Sequence, residues 1–161
     1  GGQDAVGLEI LSRFNDQRKK VASKTTKISG GFTKEHFIYL DSSKNPYTKP
    51  VYLLTSQQSA SATDFAAMAS MQLPHFVRIG SHTQGALSDA LEKTLPNGWR
   101  FSLSNEIYYD SNGKCYESIG IAPHYELHYP QDRQAFFRGV ADHLEHDKSE
   151  VLDIINSLSK K

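Results

Sequence analysis

Residues 51–80 read VYLLTSQQSASATDFAAMASMQLPHFVRIG, and the order of residue types in that stretch decides the fold class. Val51-Tyr52-Leu53-Leu54 is a continuous apolar run between Pro50 and a polar segment, the pattern of a strand buried on both faces of a parallel sheet. Ser59-Ala60-Ser61-Ala62-Thr63-Asp64 leads directly into a helix with Phe65, Met68, Ala69 and Leu73 on one side, and Pro74 ends it. Phe76-Val77-Arg78-Ile79 alternates as a strand does, and Gly80 stops it. Strand, helix and strand in succession predict an α/β arrangement.

Downstream the texture changes. Leu91–Leu95 and Trp99–Tyr109 read as strands joined at Pro96-Asn97-Gly98, and Asn112-Gly113 is a hairpin signal between Tyr109 and Tyr116. Two helical stretches, 131–146 and 149–159, close the chain. Upstream, Val6, Ile10, Leu11 and Phe14 recur at helical spacing and predict a helix over 4–17. Asn15 to Gly31 is rich in Lys, Thr and Ser and reads mostly as loop or an irregular edge. Phe37–Leu40 is a short strand, and Ser42–Lys49, with Asn45-Pro46, is turn-rich. The whole, residues 1–161, reads as one mixed α/β domain.

Bulk numbers exclude several classes. The chain of 161 residues carries 18 basic and 18 acidic side chains, so no global field recruits nucleic acid or an anionic membrane. No apolar run approaches the roughly 20 residues that span a bilayer. Cys115 is the single cysteine, which excludes a disulfide framework and a cysteine-based metal site. The start, Gly1-Gly2-Gln3, lacks a methionine and predicts a processed or partial piece of something longer.

The chemistry centres on Ser61. A strand ending near Ser56, a tight turn and a helix starting near Ser61 lift a hydroxyl out of the sheet. They aim it at a helix N-terminus, where unpaired N–H groups and the dipole favour negative charge. Ala60 and Ala62 leave room for a carbonyl to approach. Taken alone, Ser61-x-x-Asp64 reads more simply as a capping box.

The wider pattern resembles the tail-specific, or carboxy-terminal-processing, serine peptidases. In that family a hydrophobic strand runs into a Ser-Ala-Ser-Ala-Ser-Glu-like turn, an alanine-rich helix, a strand and a Gly-Glu-x-Thr-x-Gly loop. Here these are Ser59–Asp64 and Gly80-Ser81-His82-Thr83-Gln84-Gly85. Leu95–Gly98, Tyr108–Lys114 and Gly120-Ile121-Ala122-Pro123 follow the family's order of hairpins and its Gly-Ile-x-Pro-Asp ending. Gly1-Gly2 resembles the end of an Asn-x-Gly-Gly motif. The likeness covers roughly residues 1 to 129. It implies a crotonase-like (ClpP/crotonase-type) α/β core that forms the C-terminal catalytic domain of a longer peptidase.

The same resemblance implies Ser61 as nucleophile, with the amides of Ala62 and of Gly1 or Gly2 as the oxyanion hole. The main branch of the family places a general-base lysine after the loop, where this chain has Ala86, and Lys93 lies too far along to replace it. The tricorn-like branch instead takes its base from an upstream histidine, oriented through a serine and a glutamate. Glu117, just ahead of Gly120, matches that glutamate. A serine without a base attacks poorly, so the resemblance implies a histidine from an upstream segment and a fragment poorly active alone. Of the seven histidines, His82 in the loop is the best internal candidate for a base, although a surface role suits it better. His124 replaces the family's aspartate and reads as a turn cap. His36, His75, His128, His143 and His146 form no metal pattern, and Cys115 reads as structural.

No metal or cofactor is called for. The implied partner is a polypeptide substrate, with no nucleic acid and no membrane span, and a homo-oligomer is allowed. Compartment is open from the residues, and the resemblance favours a periplasmic or extracytoplasmic setting. The same core also occurs in a retinoid- and fatty-acid-binding protein, so binding of an apolar ligand without proteolysis stands as the alternative.

Overall fold

The computed structural model describes residues 2–127 and 140–160. Its heart is the strand–helix–strand unit of 51–80: β4 (Val51–Thr55), α2 (Ala62–Ser70) and β5 (Phe76–Gly80), with β4 and β5 paired in parallel, Val51 opposite Phe76. β9 (Tyr125–Glu126) adds a second parallel neighbour to β5. Phe65, Met68, Ala69 and Leu73 are all buried, as their spacing predicts. β4 departs from expectation. It lies at the edge of its sheet among the described residues, and Leu54 is 59% exposed, so it is not buried on both faces.

The second sheet is antiparallel. Its centre is β1 (Lys19–Ile28), flanked by β3 (His36–Leu40) and β8 (Glu106–Asp110), with β2 (Gly31–Phe32) folded back on its far end. This overturns the expectation of a loop over 15–31. The lysines that disguise β1 lay their stems across rings on neighbouring strands: Lys20 lies over Phe37 and Lys24 over Tyr108. Meanwhile Val21, Ala22 and Ser23 are wholly buried.

Helix α1 (Asp4–Ser12) is shorter than 4–17, because the chain turns at Arg13 and Asn15 to receive the 43–47 loop: Ser43 and Tyr47 N–H donate to the Asn15 and Arg13 carbonyls. It packs on α2, and a Cβ on Gly7 would stand only 3.2 Å from the Ala66 Cβ. The two helices meet through small residues. α2 in turn covers β1, and Leu11, Ala22, Leu40, Phe65, Met68 and Tyr108 form the core between them.

The expected strand over 99–109 is two strands. β6 (Ala90–Thr94) and β7 (Arg100–Ser104) form a hairpin, and the chain breaks at Asn105. There Asn105 N–H donates to the Asp89 carbonyl while the Asn105 carbonyl accepts from Lys27, handing the chain over to β8. Asn112-Gly113 does make a tight turn, held by Asp110, whose carboxylate accepts the Asn112 and Lys114 amides. No strand follows within 114–120, where 116–120 is committed to another loop. At the end of the chain α3 (Val140–Leu158) runs unbroken through Lys148, where two helices were expected; nothing from 140 to 158 is Gly or Pro. Residues 131–139 of that expectation, with His128, lie outside the described residues.

Candidate active site

Ser61 sits where β4 has turned through Ser56–Ser59 and α2 begins. Its backbone adopts φ 59° and ψ −125°, far from the extended conformation of an ordinary N-cap, and its hydroxyl makes no capping bond. The capping-box interpretation therefore fails on geometry. A serine held at positive φ costs about 1–3 kcal/mol, which the surroundings must over-determine. Here the Ser61 N–H donates to the Ala86 carbonyl at 3.0 Å, and its own carbonyl accepts from Phe65 at 3.0 Å to open the helix. Ser61 is exposed. The result is a strained strand-to-helix turn that presents a hydroxyl at a helix N-terminus.

Asp64, expected to reciprocate a cap, is buried and turned to the 83–88 loop instead. Its Oδ1 accepts the Gly85 N–H at 3.0 Å and its Oδ2 the Ala86 N–H at 2.9 Å. Glu117 continues the series, with Oε2 accepting Leu87 N–H at 2.9 Å and Ser88 N–H at 3.0 Å. Glu117 is thus fixed against the same loop that anchors Ser61. The two loops are interlocked: the Ser118 N–H donates to the Gly85 carbonyl at 2.7 Å, and Ile121 N–H to Thr83 Oγ1 at 2.7 Å. Gly85 has φ +75°, and a Cβ there would lie 2.5 Å from the Gly120 nitrogen. Only glycine fits.

Ala62 opens α2, and its amide belongs to the first turn, where no helical carbonyl stands four residues back. Gly2, at φ +143°, leads into α1, where a Cβ added at Gly7 would stand 3.9 Å from the Ala62 carbonyl oxygen. Gly1 lies outside the described residues.

The profile of peptidase family S41 matches residues 1–127. The chain belongs to peptidase family S41. A Chlamydia pneumoniae protein is 29% identical over 121 residues, 73% of this chain and 19% of its own length. A Chlamydia trachomatis protein is 25% identical over 114 residues, 69% of this chain and again 19% of its own. The chain thus spans about a fifth of the length of these relatives. Among solved structures, a candidate peptidase of Parabacteroides merdae matches with TM-score 0.73 and 25% identity, over 91% of this chain and 48% of that one. Mature CPAF complexed with lactacystin matches with TM-score 0.75 and 15% identity, over 98% and 43%. The photosystem II D1 C-terminal processing protease matches with TM-score 0.58 and 21% identity, over 86% and 35%. The last two likenesses are of fold.

Within this S41 chain the remaining sequence candidates separate cleanly. His82 is exposed on the 81–89 loop, and no hydrogen bond joins it to Ser61 among the described residues. Lys93 is on the exposed β6 strand. His124 is no turn cap. Its Nδ1 accepts the Arg78 N–H at 2.9 Å and its own N–H donates to the Arg78 carbonyl at 2.8 Å, so it extends the β5 edge. An accepting Nδ1 leaves the proton on Nε2, which faces the Arg78 guanidinium at 3.3 Å. Burial, and then the Arg78 charge, hold the His124 pKa below its ordinary value.

One polar cluster escaped the sequence. Lys24 Nζ bridges both Glu106 oxygens at 2.8 Å, and the Tyr108 hydroxyl lies 3.1 Å from Glu106 and 3.2 Å from Asp4. Burial, reinforced by Asp4 and Glu106, raises the Tyr108 pKa far above the usual phenol value, and burial also raises that of Asp4. Burial would raise Glu106 too, but hydrogen bonds from Lys24, Thr26 and Tyr108 outweigh it and leave its pKa lowered. The cluster ties α1 to the second sheet, and the Glu106 N–H donates to Ser88 Oγ at the edge of the site.

Proposed function

We propose that this chain is the nucleophile-bearing core of a serine peptidase of the tail-specific, tricorn-like type, built on a crotonase-type fold as the C-terminal domain of a longer enzyme. The observation that carries the reading is the strained, exposed, non-capping conformation of Ser61 at the start of α2. Membership in peptidase family S41 supplies the reaction class.

In this reading Ser61 Oγ attacks the carbonyl of a polypeptide substrate and passes its proton to a histidine supplied from an upstream segment. The amide of Ala62, with that of Gly1 or Gly2, receives the charge that develops on the carbonyl oxygen. The C–N bond breaks as the histidine returns the proton to the departing amine, leaving an acyl ester on Ser61. Water, activated by the same histidine, then releases the acid. Glu117, already fixed by two backbone amides, would orient that histidine. Ala86 in the usual lysine position leaves the Ser–Lys variant without its base.

The alternative, an apolar-ligand carrier, draws no support from the peptidase profile. No helix among the described residues is long and apolar enough to cross a membrane. The test is labelling of the full-length protein with a fluorophosphonate and mapping of the adduct. Attachment at Ser61, lost in S61A, supports the reading. Absence of any label on intact, folded protein overturns it.

A further inference from the structure

The segment 85–88 uses its backbone twice. Its four N–H groups go to two carboxylates, Asp64 and Glu117. Its first two carbonyls accept from Ser118 and Ser61. Those two serines are also the non-glycine residues with positive φ among the described residues, at 62° and 59°. The strained positions on either side of the site are thus hung on consecutive peptide groups of one loop.

Ala86 is where the lines cross. It donates to Asp64 Oδ2 at 2.9 Å and accepts from the Ser61 N–H at 3.0 Å. Asp64 follows Ser61 by one turn of α2, so the helix, the carboxylate, Ala86 and the Ser61 amide close a ring. Asp64 shows no exposed surface. A carboxylate so buried persists only where donors satisfy it, and those seen here are two amides of this loop. Such bonds are charge-assisted, and the start of α2 favours the negative charge.

We propose that Asp64 is a positioning residue for Ser61: it holds Ala86 through the Ala86 N–H, so that the Ala86 carbonyl, in the next peptide group, whose Leu87 N–H is held by Glu117, keeps the Ser61 backbone in its positive-φ conformation. The proposal rests on Ser61 being the nucleophile, as argued above. A merely stabilising Asp64 would lower the melting temperature without singling out Ser61.

The experiment compares wild type, D64N and D64A of the full-length protein. It reads the rate of fluorophosphonate labelling, the melting temperature, and hydrogen exchange at the Ser61, Gly85 and Ala86 amides. Asn keeps one accepting oxygen and turns a donor toward the second amide. Expected is a loss of labelling of at least tenfold in D64N, and more in D64A, in protein that still melts cooperatively, since small misplacements of reacting groups cost up to about 100-fold. Exchange protection of the Ser61 amide should fall with that of Gly85 and Ala86. Unchanged labelling with unchanged protection at Ser61 overturns the proposal. If wild-type Ser61 does not label, the nucleophile reading fails, and the exchange of the Ser61 amide in D64N alone decides the role of Asp64. If neither variant folds, wild type decides: the Ser61 and Ala86 amides must exchange together, and a Ser61 amide exchanging like unstructured chain refutes the ring.

Discussion

At the scale of single residues, the site depends on backbone conformations that few side chains tolerate. Gly85 is the sharpest case, because a methyl group there meets the backbone of Ile119 and Gly120 on the interlocked loop. G85A should lower stability by more than about 2 kcal/mol, through positive-φ strain and displacement of backbone rather than of a flexible side chain. Denaturant unfolding would measure it, and a loss under 0.5 kcal/mol would contradict the packing described. His124 makes a second prediction. Its folded pKa is depressed, so the unfolded chain binds the proton more readily. Its stabilising contribution is then complete above about pH 6.5 and is lost as pH falls from there through the folded pKa. His124 as a residue is exposed, so burial desolvates it only in part and the effect is modest. Melting temperatures from pH 8 to 5 should fall more steeply for wild type than for H124N, and parallel curves would count against it. Asp64 shows how a residue's role can hide. Its place beside Phe65 on a face shared with Met68 put a carboxylate among core positions, a signal that it needed buried donors, but only the fold reveals that Gly85 and Ala86 supply them.

At the scale of elements, what was legible followed local pattern. The β4–α2–β5 unit has its apolar run and its helical spacing in sequence, and all three elements appear in order, although α2 ends at Ser70, before Pro74, and β4 is an edge strand. β1 was illegible because Lys19, Lys20, Lys24 and Lys27 mask the alternation, and Tyr108 and Glu106, which receive Lys24, are remote in sequence. The β6–β7 hairpin carries its own asymmetry. Cross-strand partners share a face, so Leu91 with Leu103, and Lys93 with Phe101, line one side, while Glu92 and Arg100 form an ion pair on the other. Trp99 at its tip is 73% exposed. As the sole tryptophan, it should emit as an indole in water and be quenched readily by iodide. In a two-domain or longer protein the measurement should use the chain 1–161 by itself, and a blue-shifted, unquenched emission would place the tip against another surface.

At the scale of the whole molecule, the parallel sheet and the four-stranded antiparallel sheet share one core with α1 and α2, and the site lies where the loops leaving the parallel unit are bound by the segment that follows β8. The core residues Phe65, Tyr108 and Leu40 come from α2, β8 and β3 respectively and pack in one cluster. F65A should therefore destabilise the domain as a unit, by about 3–5 kcal/mol, with the helical and sheet signals melting together. Separate transitions would show that the sheets are independent. This level was the least readable from sequence, because the neighbours of β1 are set by pairings across long separations, and nothing in Lys19–Ile28 names β8 as a partner.

That division of range also sets a timetable. The β4–β5 pairing closes about 25 residues, whereas Lys24 meets Tyr108 across 84. Loop closure and contact order make the first pairing fast and the second slow. The helix bearing Ser61 should then form early, while the loop that imposes its unusual backbone waits for the arrival of Glu117 behind β8. During refolding from denaturant, helical signal should recover before Ser61 becomes reactive toward a fluorophosphonate. Simultaneous recovery would mean that the strained serine is assembled with its helix rather than after it.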